Sequence, residues 1–171
     1  MTYSVTYEEG FLIREIGSIG TKPDVAITEL IANSHDAGAS KVSIIIPADY
    51  DQYIIVEDNG IGLTNNEFEN RWLKLRYDRN RHQGPFVEIP PDNEAIRKRL
   101  AFGRNGVGRH AGLCLDDTYF IETWKNGESN SYKLSLSSGP QPIKVIDSQT
   151  SEKEGHGTRI KILVKRNLIS E

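Results

Sequence analysis

Glu29-Leu30-Ile31-Ala32-Asn33-Ser34-His35-Asp36-Ala37 is the stretch on which the reading of this chain turns. Upstream, Thr21 and Asp24 are N-cap candidates and Pro23 suits a first helical turn, while Gly38 downstream suits a helix end. These signals predict a helix from Asp24 to Ala37. At about 100° per residue, Ile27, Leu30, Ile31 and Ser34 share one stripe, which is expected to be buried. Glu29, Asn33 and Asp36 share another, well away from it. No Lys or Arg falls between Pro23 and Ala39, whereas a solvated helix face ordinarily mixes both signs. Two acids and an amide without counter-charge fit a site as well as they fit a surface.

The whole chain sets bounds on that choice. Its 171 residues amount to one domain, 1–171, either complete or the N-terminal part of a longer protein. With 37% hydrophobic and 26% charged residues it is expected to be globular, with enough apolar material for a core. A net charge of −3 gives no general pull toward nucleic acid or membrane. No apolar run approaches the roughly 18 residues of a spanning helix, and the first residues lack a basic-then-apolar signal pattern. Cys114 is the single cysteine, which fits a reducing cytoplasm, and its apolar surroundings suggest an inert core thiol.

Along the chain, Ser4 to Tyr7 reads as a short strand and Glu8 to Ile16 as a helix. After the central helix, Lys41 to Ile46 and Tyr53 to Val56 read as a strand hairpin turning at Asp49-Tyr50-Asp51. Asn65 to Tyr77 has helical spacing, with Phe68, Trp72, Leu73 and Leu75 as its expected buried set. From Arg79 to about Asn105, Gly and Pro interrupt any regular element apart from a short helix around Glu94 to Leu100. A long irregular segment inside a compact domain is usually a functional lid or an insertion. Gly106 to Leu115 reads as a further helix start. Thr118 to Thr123, Ser131 to Leu136, Ile143 to Val145 and Thr158 to Val164 read as strands, with turns at Asn126-Gly127 and Ser138-Gly139-Pro140. Leading helices and closing antiparallel strands predict an α+β two-layer sandwich: a mixed, mostly antiparallel sheet with helices on one face.

Three more stretches carry glycine beside chemistry. In Asp58-Asn59-Gly60-Ile61-Gly62-Leu63 a strand ends in an acid and two glycines. This is a common turn, or else a carboxylate placed to accept from a buried amine, with glycines that let the backbone approach a ring. Gly103-Arg104-Asn105-Gly106-Val107-Gly108-Arg109-His110 opens a helix, where exposed N–H groups and the helix dipole favour phosphate. Its match to a dinucleotide fingerprint fails, because no strand precedes it, and there is no Gly-Lys-Ser/Thr P-loop anywhere. Gly155-His156-Gly157-Thr158 opens the last strand. Single stretches of these kinds are ordinary; their order is not.

An acid-plus-amide helix, Asp-x-Gly-x-Gly, a glycine-rich helix start and Gly-Thr before a closing strand occur here in that sequence. The set, spanning Glu29 to Ile162, resembles the GHKL superfamily of Bergerat-fold ATPases. This superfamily takes in gyrase-type topoisomerases, the ninety-kilodalton heat-shock chaperones, histidine kinases, MutL and the MORC ATPases. The first motif looks most like MutL, and the glycine-rich one more like the chaperones. The resemblance implies ATP with Mg²⁺ as ligands. It makes Glu29 the base that orients water at the γ-phosphate and Asn33 the Mg²⁺ ligand, with Asp36 at the pocket edge. Asp58 would take the adenine amine, assisted by Thr158, with Gly60 and Gly62 near the ring and Leu63 against it. Gly103, Gly106, Val107 and Gly108 would serve the phosphates, with residues 79–105 as the lid.

An acid at Glu29 implies hydrolysis, where histidine kinases carry Asn. Arg109 stands where the chaperones have an aromatic, which sets chaperone activity in doubt. Homodimerisation with ATP and association with downstream domains or partner proteins are implied as well. So is slow turnover by the domain alone, because the γ-phosphate cation usually comes from a second domain. The alternatives are a nucleotide-sensing module without turnover and a histidine-kinase-like phosphotransferase. The basic residues from Arg71 to Arg81 and from Arg97 to Arg109 read as a solvated face, a phosphate-facing rim or a nucleic-acid groove. The last lacks interleaved aromatics. His35, His82, His110 and His156 have no metal-ligand spacing. What the cycle drives (DNA repair, chromatin or defence, or client remodelling) is not written in these motifs.

Overall fold

The computed structural model describes residues 14, 23–93, 98–103, 106, 108–137, 141 and 143–165. The expected Ser4–Tyr7 strand, all but Arg14 of the expected Glu8–Ile16 helix, Val107 and the turn at Ser138 to Pro140 lie outside them.

The central helix, α1 (Pro23–Asp36), lies one residue before the expected Asp24–Ala37 at each end. It ends in a Schellman arrangement: Gly38 takes φ +74°, its N–H reaches the His35 carbonyl and the Ala39 N–H reaches the Ser34 carbonyl. Gly38 also meets the chain at Glu88, so closely that a Cβ would run into the Glu88 carbonyl. The buried stripe is Ala26, Leu30 and Ser34, one turn apart. Ile31, expected inside, is 37% exposed, because the helix is rotated to set Ala26 rather than Ile31 against the sheet.

Six strands form one sheet: β1 (Val42–Ile45), β2 (Tyr53–Asp58), β3 (Thr118–Lys125), β4 (Glu128–Leu136), β5 (Ile143–Glu152) and β6 (Gly157–Leu163). Their order is β1-β2-β6-β3-β4-β5, and each described neighbouring pair is antiparallel. The β1–β2 hairpin turns at Asp51, with φ 59°. The β3–β4 hairpin turns at Asn126-Gly127, both at positive φ, the geometry that matches strand twist. β5 runs to Glu152, well past the expected Val145; almost all of it is exposed, so it lacks the apolar alternation that would have marked it.

One sheet face carries the core: Ile54, Val56, Tyr119, Ile121, Tyr132, Leu134, Ile160 and Ile162 pack beneath α1 and the segments that follow it. The other face is solvated, with Arg159 bonded to Glu57 and Glu122, and Lys161 above the Tyr53 and Phe120 rings. This is the α+β sandwich expected from the sequence, with its helices on one side.

The expected helix from Asn65 to Tyr77 is instead a short turn, α2 (Asn65–Glu67), continuing as a π-helical turn over Phe68–Trp72. A capping box closes its start: Thr64 Oγ1 accepts from the Glu67 N–H, and the Thr64 N–H donates to Glu67 Oε2. The wide turn, closed by the Leu73 N–H on the Phe68 carbonyl, sets Phe68 flat on Tyr132 and puts Trp72 over the core. It leaves Leu73 at the surface rather than inside, and Arg76, at φ 54°, prevents the helix from resuming. Among the described residues of 79–103 there is one short helix, α3 (Arg79–Gln83). The expected helix at Glu94 to Leu100 falls partly outside the described residues, and Leu100 makes an isolated bridge to Phe86 instead. A 3₁₀ turn over Gly108–Cys114 takes the place of the helix expected from Gly106 and packs against α1.

A closed polar network lies inside this layer. Trp72 Nε1 donates to the Tyr119 hydroxyl at 2.9 Å; His110 Nδ1 meets the same hydroxyl at 2.9 Å, and His110 Nε2 meets the Trp72 carbonyl at 3.1 Å. Burial, then the nearby Arg109 charge, push the imidazole down to about 3, so His110 is neutral. Tyr119→Phe keeps the packing volume but strips two buried groups of their shared partner. It is expected to cost about 1–3 kcal/mol of stability in a denaturant titration, with the strand and helix content unchanged by circular dichroism. A wild-type midpoint would separate this network from stability.

Candidate functional site

The polar stripe of α1 faces a cavity of about 390 Å³, a size typical of small-molecule sites. Glu29, Asn33 and Asp36 form one wall. Asp58, Val56, Thr158 and Ile160 form the floor, supplied by the paired strands β2 and β6, where Asp58 and Thr158 lie opposite each other. Gly62 and Leu63 close one side; Gly103, Gly106 and Gly108 close another. Four separated stretches of sequence therefore meet at one opening. Two expected members stand apart: Val107 lies outside the described residues, and Gly60 sits behind the cavity rather than on it.

Gly60 has its own reason to be glycine. Its backbone passes under the end of α1, where a Cβ would stand 2.6 Å from the Ala37 Cβ, and the Ile61 N–H donates to the Ala37 carbonyl. Gly62, at φ +65°, packs equally tightly on the Trp124 carbonyl. These glycines seat the loop against helix and sheet, so that the carboxylate before them is held in place.

That carboxylate is the best-supported group in the cavity. Asp58 Oδ1 accepts from the Gly60 N–H and Oδ2 from Ser34 Oγ, each at 2.8 Å, and the Thr158 backbone N–H adds a third donor. Burial pushes Asp58 above the ordinary carboxylate range, and these donors pull the other way. An ionised carboxylate so placed accepts from a ligand N–H and has no proton to give an acceptor. Thr158 Oγ1 lies 3.3 Å from Thr123 Oγ1, and Thr123 Oγ1 also accepts from the Leu63 N–H at 2.8 Å. The hydroxyl cluster thereby fixes the loop that carries Leu63.

At the other end, Glu29 lies against Gly108 so closely that any side chain there would strike its carboxylate. The Asn33 amide is buried, and its Nδ2 has no partner among the described residues. Amide nitrogen and oxygen are assigned by their partners, so the flipped amide would present an unmatched acceptor to a cation. No cluster of three or more His, Cys, Asp or Glu suited to a metal exists among the described residues. An amide oxygen at Asn33 is the kind of hard donor that Mg²⁺ takes together with substrate phosphates and water.

Asp36 does something the sequence did not disclose. Its two oxygens accept from the Phe102 and Gly103 N–H groups, both at 2.7 Å. Beside it, Arg99 Nη1 donates to the carbonyls of His35 and Ala39, and Asn93 Nδ2 to that of Gly38. The end of α1 therefore grips segment 79–103 at several points. A carboxylate in the last turn opposes the helix dipole, which was the available hint that it serves other donors. Ser34 carried a similar hint, as a hydroxyl on an apolar stripe that must find a buried partner. Arg109, Trp72 and Tyr77 also line the cavity and were not singled out as ligand-binding residues.

Asp36→Ala leaves two adjacent N–H groups without their acceptor, and Asp36→Asn restores only one. Amide exchange at 98–103 is expected to speed up in both, most in the alanine variant, with a stability loss of about 1 kcal/mol. Exchange as slow as wild type in both would remove this grip.

Comparison with known proteins bears on this geometry. The model of the histidine kinase-, DNA gyrase B- and HSP90-like ATPase family matches residues 21–162. The DNA mismatch repair protein MutL of Endomicrobium trichonymphae is 31% identical over 147 residues, 86% of this chain and 22% of that protein. MutL of Paramagnetospirillum magneticum is 25% identical over 152 residues, 85% of this chain and 21% of its own. The chain thus spans about a fifth of the length of these relatives. A crystal structure of the N-terminal domain of a DNA repair protein shares the fold, with a TM-score of 0.56 and 19% identity over 90% of this chain and 39% of that one. With a family match extending over most of its length, on the helix, floor and glycine turns just described, this chain belongs to the histidine kinase-, DNA gyrase B- and HSP90-like ATPase family.

Proposed function

We propose that the cavity binds ATP with Mg²⁺ and hydrolyses it, the adenine at Asp58 and the phosphates near Glu29, Asn33 and the glycine turn. The observation that carries this reading is the pairing of two unlike ends in one cavity. One is a buried, donor-supported carboxylate suited to an exocyclic amine; the other is an acid and an unmatched amide one helical turn apart, beside glycine backbone. Asn33 would hold the cation, which when bound supplies charge neutralisation on the phosphates. Glu29 would orient a water and take its proton as the oxygen bonds to the γ-phosphorus, the bond to the β–γ bridging oxygen breaking as ADP leaves. Gly103, Gly106, Val107 and Gly108 would offer N–H groups to the phosphates, and Leu63 an apolar contact to the base.

Segment 79–103 is the lid in this reading, closing over bound nucleotide and favouring association with a second copy. The cytoplasm is its proposed location. Turnover by this domain alone is expected to be slow. The mismatch-repair names of the relatives support a role for the cycle in DNA transactions.

Saturating ATP with Mg²⁺, at about 100 times its Kd, is expected to raise the melting temperature by roughly 5–10 °C. Glu29→Gln should keep that shift while phosphate release falls about 100-fold or more. Unchanged release would take Glu29 out of the chemistry. Wild-type binding without any release, with full-length protein and partners supplied, would favour a nucleotide-sensing module.

A further inference from the structure

Among the described residues, Arg109 is a cation without a counter-ion. It follows Gly108 at the start of the 3₁₀ turn and lines the same cavity as Glu29 and Asn33. Arg71, also on the cavity wall, is paired, reaching Glu67 at 3.0 Å, and Lys125 reaches the same carboxylate at 3.1 Å; Arg79, a third cation on the wall, donates to the Gly84 and Phe86 carbonyls. Among the described residues Arg109 forms no ion pair. Its guanidinium donates one hydrogen bond, from Nη1 to the Arg71 carbonyl, and lies 5.7 Å from the centre of the Tyr77 ring. A guanidinium has five N–H donors, so most of this one is uncommitted.

The surroundings make that arrangement costly. Burial pushes the Arg109 guanidinium below its ordinary range, and the residues beneath it bring no negative charge. His110 is neutral, and burial holds the Tyr119 hydroxyl well above the ordinary tyrosine range, so it keeps its proton. Gly106, at φ +60°, is squeezed between Tyr77 and this guanidinium: a Cβ would lie 2.7 Å from the Tyr77 nitrogen and 3.1 Å from Arg109 Nη2. The chain thus bends closely around an arginine that none of the described residues neutralises. A desolvated cation is stable where an anion completes it, and the planar fork of arginine suits phosphate oxygens.

We propose that Arg109 binds the phosphate chain of the nucleotide, giving this domain a phosphate cation from within its own glycine turn. The inference rests on the ATP reading of the cavity and adds a residue to it. Arg109 would hold the phosphates beside the backbone N–H groups through charge-assisted hydrogen bonds.

Isothermal titration of wild type, Arg109→Gln and Arg109→Lys with adenosine, AMP, ADP and ATP, each with Mg²⁺, separates the claims. Adenosine is expected to bind all three proteins within about twofold, which also reports that the floor at Asp58 is intact. ATP affinity is expected to fall about 10- to 100-fold in Arg109→Gln and less in Arg109→Lys, which keeps charge but loses the fork. The shortest ligand in the series to lose affinity identifies the phosphate held. Unchanged ATP affinity in Arg109→Gln would overturn the proposal. An equal loss for adenosine would overturn it too, assigning Arg109 to the shape of the cavity. A wild-type protein that binds none of the four ligands would remove the ATP reading, and this inference with it.

Discussion

The buried Asp58 carboxylate is the constraint around which both fold and site are arranged. A carboxyl group taken out of water must be met by hydrogen-bond partners, and here they come from three places. Ser34 brings α1, Gly60 brings the loop after β2, and the Thr158 backbone brings β6. Meeting them fixes the helix over the sheet in one rotation, with Ser34 inward. Asn33, the next residue back, and Glu29, a turn earlier, must then face the cavity. One carboxylate thus sets the floor and, through the helix, the far wall.

The two walls beyond it are held differently. The 3₁₀ turn rests on the closed Trp72–Tyr119–His110 network and on fully buried chain such as Ala111. Segment 79–103 is tied to α1 mainly by polar contacts, and Leu100 and Phe102 remain 64% and 70% exposed. The same segment buries Val87 and Pro90, the latter against Gly38. His156 bridges this segment to the Asp58 loop, its ring nitrogens meeting the Gly60 carbonyl at 2.7 Å and Asp92 Oδ1 at 2.8 Å. The last-strand motif therefore contributes to the edge of the site as well as to its floor.

Local signals in the sequence were enough for the helix bounds, the hairpins and the four stretches that meet in the cavity. Pro23, Gly38 and Asn126-Gly127 act through their own backbone preferences, which tertiary contacts here reinforce. Features that depend on partners distant in sequence were not legible. The rotation that exposes Ile31 follows from Ser34 bonding to Asp58, and the π-helical turn follows from Trp72 reaching Tyr119. Asp36 read as a pocket edge because its donors, Phe102 and Gly103, lie at the far end of an irregular segment. Arg109 looked like one of many basic residues in the sequence; its burial on the cavity, with a single described hydrogen bond, sets it apart. Gly60, read as a ligand neighbour, packs under Ala37.

In the proposed site the Asp58 floor recognises an amine on an adenine base. Equilibrium binding of ATP against inosine triphosphate, both with Mg²⁺, tests it directly, because inosine keeps the phosphates and ribose but replaces the amine with a carbonyl. A carboxylate cannot donate to that oxygen, so ATP is predicted to bind about 10- to 100-fold more tightly. Equal affinities would contradict the account, since a site indifferent to the amine would not be reading its ligand through Asp58.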